Sequence, residues 1–171
     1  MRRALTCLVI ASALLSGCPP ARKPRSGVPV PPKPVDRVIH VELQLPDSAA
    51  INWDTDPEPD GLRVMVRLYQ ASRQHGVRAV LVSGAIDFLL FEGSPPKRPA
   101  DAGKPFFTWT FTRDQLPAYM ARRYGLWCYA MQLDWGKRTP RAKQIWLVAR
   151  YRAPEGSPIY SSPIERSMEL K

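Results

Sequence analysis

Leu62, Val64, Val66 and Leu68 alternate with Arg63, Met65 and Arg67, and this period of two is the tightest constraint on the chain. It suits a strand with one dry and one wet face and does not suit a helix. The same period recurs. Ile39, Val41, Leu43 and Leu45 alternate with His40, Glu42 and Gln44, and Phe107, Trp109 and Phe111 alternate with Thr108 and Thr110. Trp127, Tyr129, Met131 and Leu133 make one face, with Cys128, Ala130, Gln132 and Asp134 opposite. Apolar runs at 79–82, 85–91, 145–151 and 164–170 bring the total to about eight strands, with Ser83-Gly84 as a bend or bulge. Residues 113–124 have helical composition, and Asp114 as N-cap puts Pro117 in the first turn, with Gly125 as the stop. One short helix over 114–124 among many strands predicts an all-β fold, a two-sheet β-sandwich of immunoglobulin-like or transthyretin-like type.

The amino-terminal segment obeys different rules. Met1-Arg2-Arg3 is a charged start, and residues 4–15 are apolar apart from Thr6, Cys7 and Ser12, until Pro19-Pro20 ends the run. A membrane span needs about 20 apolar residues, so residues 1–17 read as a secretory signal. Leu15-Ser16-Gly17-Cys18 resembles the lipobox of bacterial lipoproteins. That resemblance implies a diacylglycerol on the Cys18 thiol, cleavage before Cys18 and acylation of its new amino group. The lipidation site is thus Cys18, and the location is the cell membrane or outer membrane, with the domain in the periplasm or at the cell surface.

Residues 18–37 form a linker with prolines at 19, 20, 24, 29, 31, 32 and 34 and basic residues between them. Such a segment is extended and semi-rigid, about 3.1 Å per residue. It also explains part of the formal charge of +10. Of the 25 basic and 15 acidic side chains, seven basic and one acidic precede residue 38, which leaves 18 against 14 in the domain at 38–171. That modest excess gives no reason to expect nucleic acid as a partner. The expected partners are the membrane, through the lipid anchor, and an envelope protein.

Cys7 leaves with the signal and Cys18 is committed to lipid, so Cys128 is the one thiol of the mature domain and no internal disulfide forms. Burial must hold the fold. The one acidic cluster is Asp54, Asp56, Glu58 and Asp60 ahead of Gly61. Carboxylates at every second position can converge on a calcium ion, the alternative being a solvated strand connector. Pro57 and Pro59 stiffen the run, and Met65 stands where a closing bidentate glutamate belongs. His40 and His75 share no metal-ligand spacing, and Ser83-Gly84 lacks the flanking glycine of a nucleophile elbow. No cofactor motif is present, and neither is a catalytic constellation. Trp109, Trp127, Trp135 and Trp146 with Tyr124, Tyr129 and Tyr151 fit core positions or a carbohydrate platform. Residues 136–143, with Lys137, Arg138, Arg141 and Lys143, fit a hairpin tip or a patch for an acidic partner.

Asp60-Gly61-Leu62-Arg63-Val64, Phe88-Leu89-Leu90-Phe91-Glu92 and Thr108-Trp109-Thr110-Phe111-Thr112 together resemble a group of uncharacterised bacterial lipoproteins, which implies a fold and no activity. Val66-Arg67-Leu68-Tyr69-Gln70 and Val148-Ala149-Arg150-Tyr151-Arg152 are similar to the outer-membrane lipoprotein of type VI secretion, although residues 71–103 depart from its pattern. That family is a sandwich that docks onto an inner-membrane partner. The expected function is therefore a membrane-anchored, non-catalytic binding or structural module of the cell envelope. The alternatives are a secretion-apparatus component, a carbohydrate-binding module and a small hydrolase.

Overall fold

The longest alternating run becomes the longest strand, β3 (Gly61–Ser72), and the first sheet is built around it. The computed structural model describes residues 29–46, 49–53, 55, 59–74 and 76–167. The signal segment, Cys18, most of the linker, Asp54, Asp56, Glu58 and His75 lie outside the described residues. Beside β3 run β1 (His40–Gln44) and β2 (Ala50–Ile51) on one flank, and β4 (Gly76–Val80) and β8 (Leu126–Asp134) also pair with it. The edge strand β7 (Met120–Arg123) pairs with β8. The second sheet has the order β10 (Ile159–Tyr160), β9 (Gln144–Arg152), β5 (Ala85–Glu92), β6 (Phe107–Phe111), with β11 (Ile164–Ser167) also paired to β9. Every pairing between strands is antiparallel.

The core lies between the sheets, as the alternation requires. Leu62, Val64, Val66 and Leu68 meet Ile86, Phe88, Leu90, Leu147 and Ala149, all buried. Ser83-Gly84 marks the place where the chain leaves the first sheet for the second. A Cβ on Gly84 would lie 2.1 Å from the Arg152 carbonyl oxygen, so only glycine fits this crossing. β5 departs from the half-wet pattern, because Ile86 to Phe91 are buried without interruption. Its outward residues Leu89 and Phe91 join Trp146 and Val148 in a second apolar cluster, packed by Ala102 and Tyr160.

The helix expected over 114–124 is a single 3-10 turn, Leu116–Tyr119, followed directly by β7. Asp114 does not cap it. Gln115 Oε1 accepts hydrogen bonds from the Thr112 N–H and hydroxyl instead, and only Leu116 is buried. Met120 to Arg123 gain more by pairing with β8 than by continuing a helix with no second apolar face. Gly125 serves a hairpin rather than a helix stop. Tyr124 and Gly125 both take positive φ, 52° and 78°, as a two-residue turn of this kind demands.

The compact unit begins at Pro31, seven residues ahead of the boundary drawn from the sequence. Val35 makes a parallel bridge to Val82, its N–H donates to the Leu81 carbonyl at 2.9 Å, and the Ser83 N–H donates back to it at 3.1 Å. The Tyr151 hydroxyl donates to the Asp36 carbonyl at 2.9 Å, and Ser83 Oγ donates to the Asp36 carboxylate. These bonds define a near end of the sandwich, where the chain joins it and where β5 starts and β9 finishes. The loops after β5 and β8 occupy the opposite, far end.

Candidate functional site

The two far-end loops lie against each other because one carboxylate binds both. Glu92, the last residue of β5, accepts the N–H groups of Arg141 and Ala142 from the β8–β9 loop at 2.7 and 3.2 Å. Trp135 anchors the base of that loop. It is buried, its N–H donates to the Asp60 carbonyl and its indole N–H to the Pro59 carbonyl at 2.7 Å. Gly136 then turns at positive φ, with its N–H on the Asp134 carboxylate. The Arg138 guanidinium is carried 4.9 Å above the Phe106 ring and 5.3 Å above Phe107, a cation–π contact that pins one loop on the other. On the β5–β6 side the loop is stiffened by Pro95, Pro96, Pro99 and Pro105, with a 3-10 turn at Pro99–Asp101 that has proline at its start.

Between these loops lies a cleft of about 650 Å³ walled by Phe91, Trp146, Phe106, Lys104, Arg138 and Asp101. A second groove of about 630 Å³, lined by Lys137, Thr139, Pro140 and Arg141, shares Glu92, Phe106 and Arg138 with it. Phe91 and Trp146 stack face to face at 3.9 Å and form a rigid wall. The rim is cationic. Lys97, Arg98 and Lys104 from one loop and Lys137, Arg138, Arg141 and Lys143 from the other are all exposed, against Glu92 and Asp101. Glu92 is engaged with backbone, so little carboxylate remains to neutralise the rim. Chemically the site offers guanidinium and ammonium donors over an aromatic wall, a surface that suits an anionic ligand.

The residues singled out from the sequence are placed unevenly. Cys18, Asp54, Asp56 and Glu58 fall outside the described residues. Asp60 is described, and its carboxylate accepts the Trp53 N–H at 2.6 Å. Among the described residues no group of three His, Cys, Asp or Glu side chains stands together as a metal site. His40 packs against Tyr69 with ring centroids 5.8 Å apart. Cys128 is buried, and burial pushes its thiol pKa up, the opposite of what a nucleophile needs. The aromatics do not make one platform. Tyr129, Tyr151, Trp135 and Trp146 are buried, Trp109 and Trp127 half-buried, and Tyr124 exposed. Trp109 packs against the core and gives its indole N–H to the Asp134 carbonyl at 2.6 Å.

The basic loop at 136–143 is legible in the sequence, and its partner at 93–106 is not. Lys97, Arg98 and Lys104 were visible as a basic, proline-rich stretch, but nothing in their spacing brings them beside Arg138. That depends on β5 and β8 ending at the same end of two different sheets. Among the described residues no helix is long and apolar enough to cross a membrane. No family model matches the chain, and neither the curated proteins nor the solved structures contain a match.

Proposed function

We propose that the chain is a membrane-anchored lipoprotein whose β-sandwich is a non-catalytic binding module of the cell envelope, tethered through Cys18 and holding an acidic partner in its far-end cleft. The observation that carries this reading is the two-ended layout: the chain joins at Pro34 to Asp36, and the cationic, aromatic-walled cleft lies at the opposite end. The cleft thus lies at the end of the sandwich opposite the point where the linker enters, free of the attachment itself. Two or more acyl chains on Cys18 would hold the protein stably, where one gives only marginal binding.

Metabolic labelling with a fatty-acid probe is expected to mark the wild type and not Cys18→Ser, and equal labelling of the two removes the anchor. The cleft is tested by affinity capture from envelope fractions with the full chain and with Lys104→Glu/Lys137→Glu/Arg138→Glu. The variant is expected to lose the acidic partner. If the same partner is kept at the same yield, the cleft is not its site.

A further inference from the structure

We infer that the protein forms a homodimer through the free edge of β6, which pairs antiparallel with β6 of a second copy and joins the two second sheets into one. β6 stands at the end of its sheet and, among the described residues, pairs with β5 alone. Every second residue therefore turns its N–H and carbonyl away from β5, with no strand to receive them. A row of this kind is normally blunted by a charge, a proline or a short length. The other edge strands of the described residues follow that rule. β1 carries Glu42, β4 Arg78, β7 Arg122 and Arg123, and β11 Glu165 and Arg166, while β2 and β10 are two residues long. β6 has five residues, Phe107-Thr108-Trp109-Thr110-Phe111, and none of them is charged or proline.

The sequence of β6 also points to its occupant. It reads the same in both directions about Trp109. Antiparallel pairing of two such strands about a two-fold axis at Trp109 sets Trp109 opposite Trp109, Thr108 opposite Thr110 and Phe107 opposite Phe111 of the second copy. A two-fold interface must be self-complementary, and aromatic–aromatic and Thr–Thr combinations are among the favourable cross-strand pairs. The faces match as well. Phe107, Trp109 and Phe111 pack against the core, and Thr108 and Thr110 are exposed. Phe107 and Trp109 stack at 5.1 Å and yet stay half-buried, whereas Phe88 and Leu90, the residues they pair with on β5, are fully buried. Pairing continues the aromatic row across the axis and covers these rings. Beyond the strand ends the same count sets exposed Lys104 level with the second copy's exposed Asp114, once on each side of the axis, so the charges agree with the register.

Disulfide trapping in cells producing the full chain reads both the contact and its register. Two differently tagged copies are co-expressed, one with Thr108→Cys and the other with Thr110→Cys. Facing positions lie about 5 Å apart, within disulfide reach, whereas two Thr108→Cys copies meet only diagonally at about 7–8 Å. The mixed pair should give a disulfide-linked dimer carrying both tags, and Thr108→Cys alone should give little. Glu165→Cys with Ser167→Cys, exposed on β11 at the opposite edge of the same sheet, should give none beyond the wild-type background. In sedimentation of the detergent-solubilised chain the wild type should run as two copies. Thr108→Lys, which removes both Thr–Thr pairs, should raise the dissociation constant about tenfold. The inference is overturned if the mixed pair yields no more dimer than the wild type, if the β11 pair yields as much, or if Thr108→Lys dissociates like the wild type. Efficient linking of Thr108→Cys to itself would overturn the two-fold axis at Trp109. These readouts use neither the acyl chains nor the cleft, so loss of the fatty-acid label or of the acidic partner leaves them intact.

Discussion

Replacing Asp87 by asparagine tests what stands in for a disulfide in this domain. The Asp87 side chain is fully buried on the outer side of β5 and receives hydrogen bonds from Arg150 Nε at 2.9 Å, Arg152 Nε and Nη2 at 2.7 and 3.0 Å, and Thr110 Oγ1 at 2.8 Å. One carboxylate thereby joins β6, β5 and β9. Burial alone would push its pKa up, but the bonds from Arg152, Thr110 and Arg150 outweigh burial and hold it below the ordinary aspartate range. Asparagine keeps the volume and removes the charge. The two arginine side chains retain 29% and 48% exposure, so neither cation is stranded, and the cost falls below the 3–5 kcal/mol typical of breaking a fully buried pair. About 2–3 kcal/mol is expected, or roughly 6–12 °C in melting temperature for a unit of this size. The folded pKa is lower than the unfolded one, so the contribution is fully present above about pH 4 and is lost as pH falls through the folded value. Urea denaturation should show a gap between wild type and Asp87→Asn that is constant from pH 7 to 5 and closes below about 4. Equal midpoints at pH 7, or a gap that widens in acid, would refute the reasoning.

Trp109→Ala should cost about 2–3 kcal/mol, less than a full core deletion because the ring is half-buried, and Trp109→Phe should recover part of it in the same thermal melt. Gly84→Ala forces a Cβ against the Arg152 carbonyl and the Tyr151 ring, so a loss of about 3 kcal/mol is expected; an unchanged melt would mean the crossing is not tightly packed. A fragment starting at Pro31 should melt cooperatively and several degrees above one starting at Val38, because the shorter one loses the Val35 bridge and leaves the Tyr151 hydroxyl without Asp36. Coincident melts of the two fragments would place Val35 and Asp36 outside the folding unit.

The sheets were legible because alternation is a local property and burial follows it directly, as at Leu62 to Leu68. The turn at 116–119 is not legible, for the opposite reason. Met120 to Arg123 form a strand only because β8 passes beside them, and composition carries no trace of that neighbour. The same limit hid half of the cleft. Arg138 announces itself as a basic loop residue, whereas its place over Phe106 depends on two crossings between sheets. Arg67 shows the limit again: the pattern puts it on a wet face, yet it is buried with Glu42 3.7 Å away.

The double burial of β5 also has a consequence for how the chain is made. Its principal partner, β9, ends 60 residues after β5 does, at Arg152 against Glu92. At a synthesis rate of about 5–20 residues per second, β5 waits on the order of 3–12 s for that partner. β6 can cover one edge as soon as Phe111 is made, but until β9 follows, Ile86, Phe88, Leu89, Leu90 and Phe91 present two apolar faces and one unpaired edge to any neighbouring chain, a state prone to aggregation. A holding chaperone that engages residues 85–92 would act on the nascent protein at its most vulnerable point, and release would be timed by the emergence of β9.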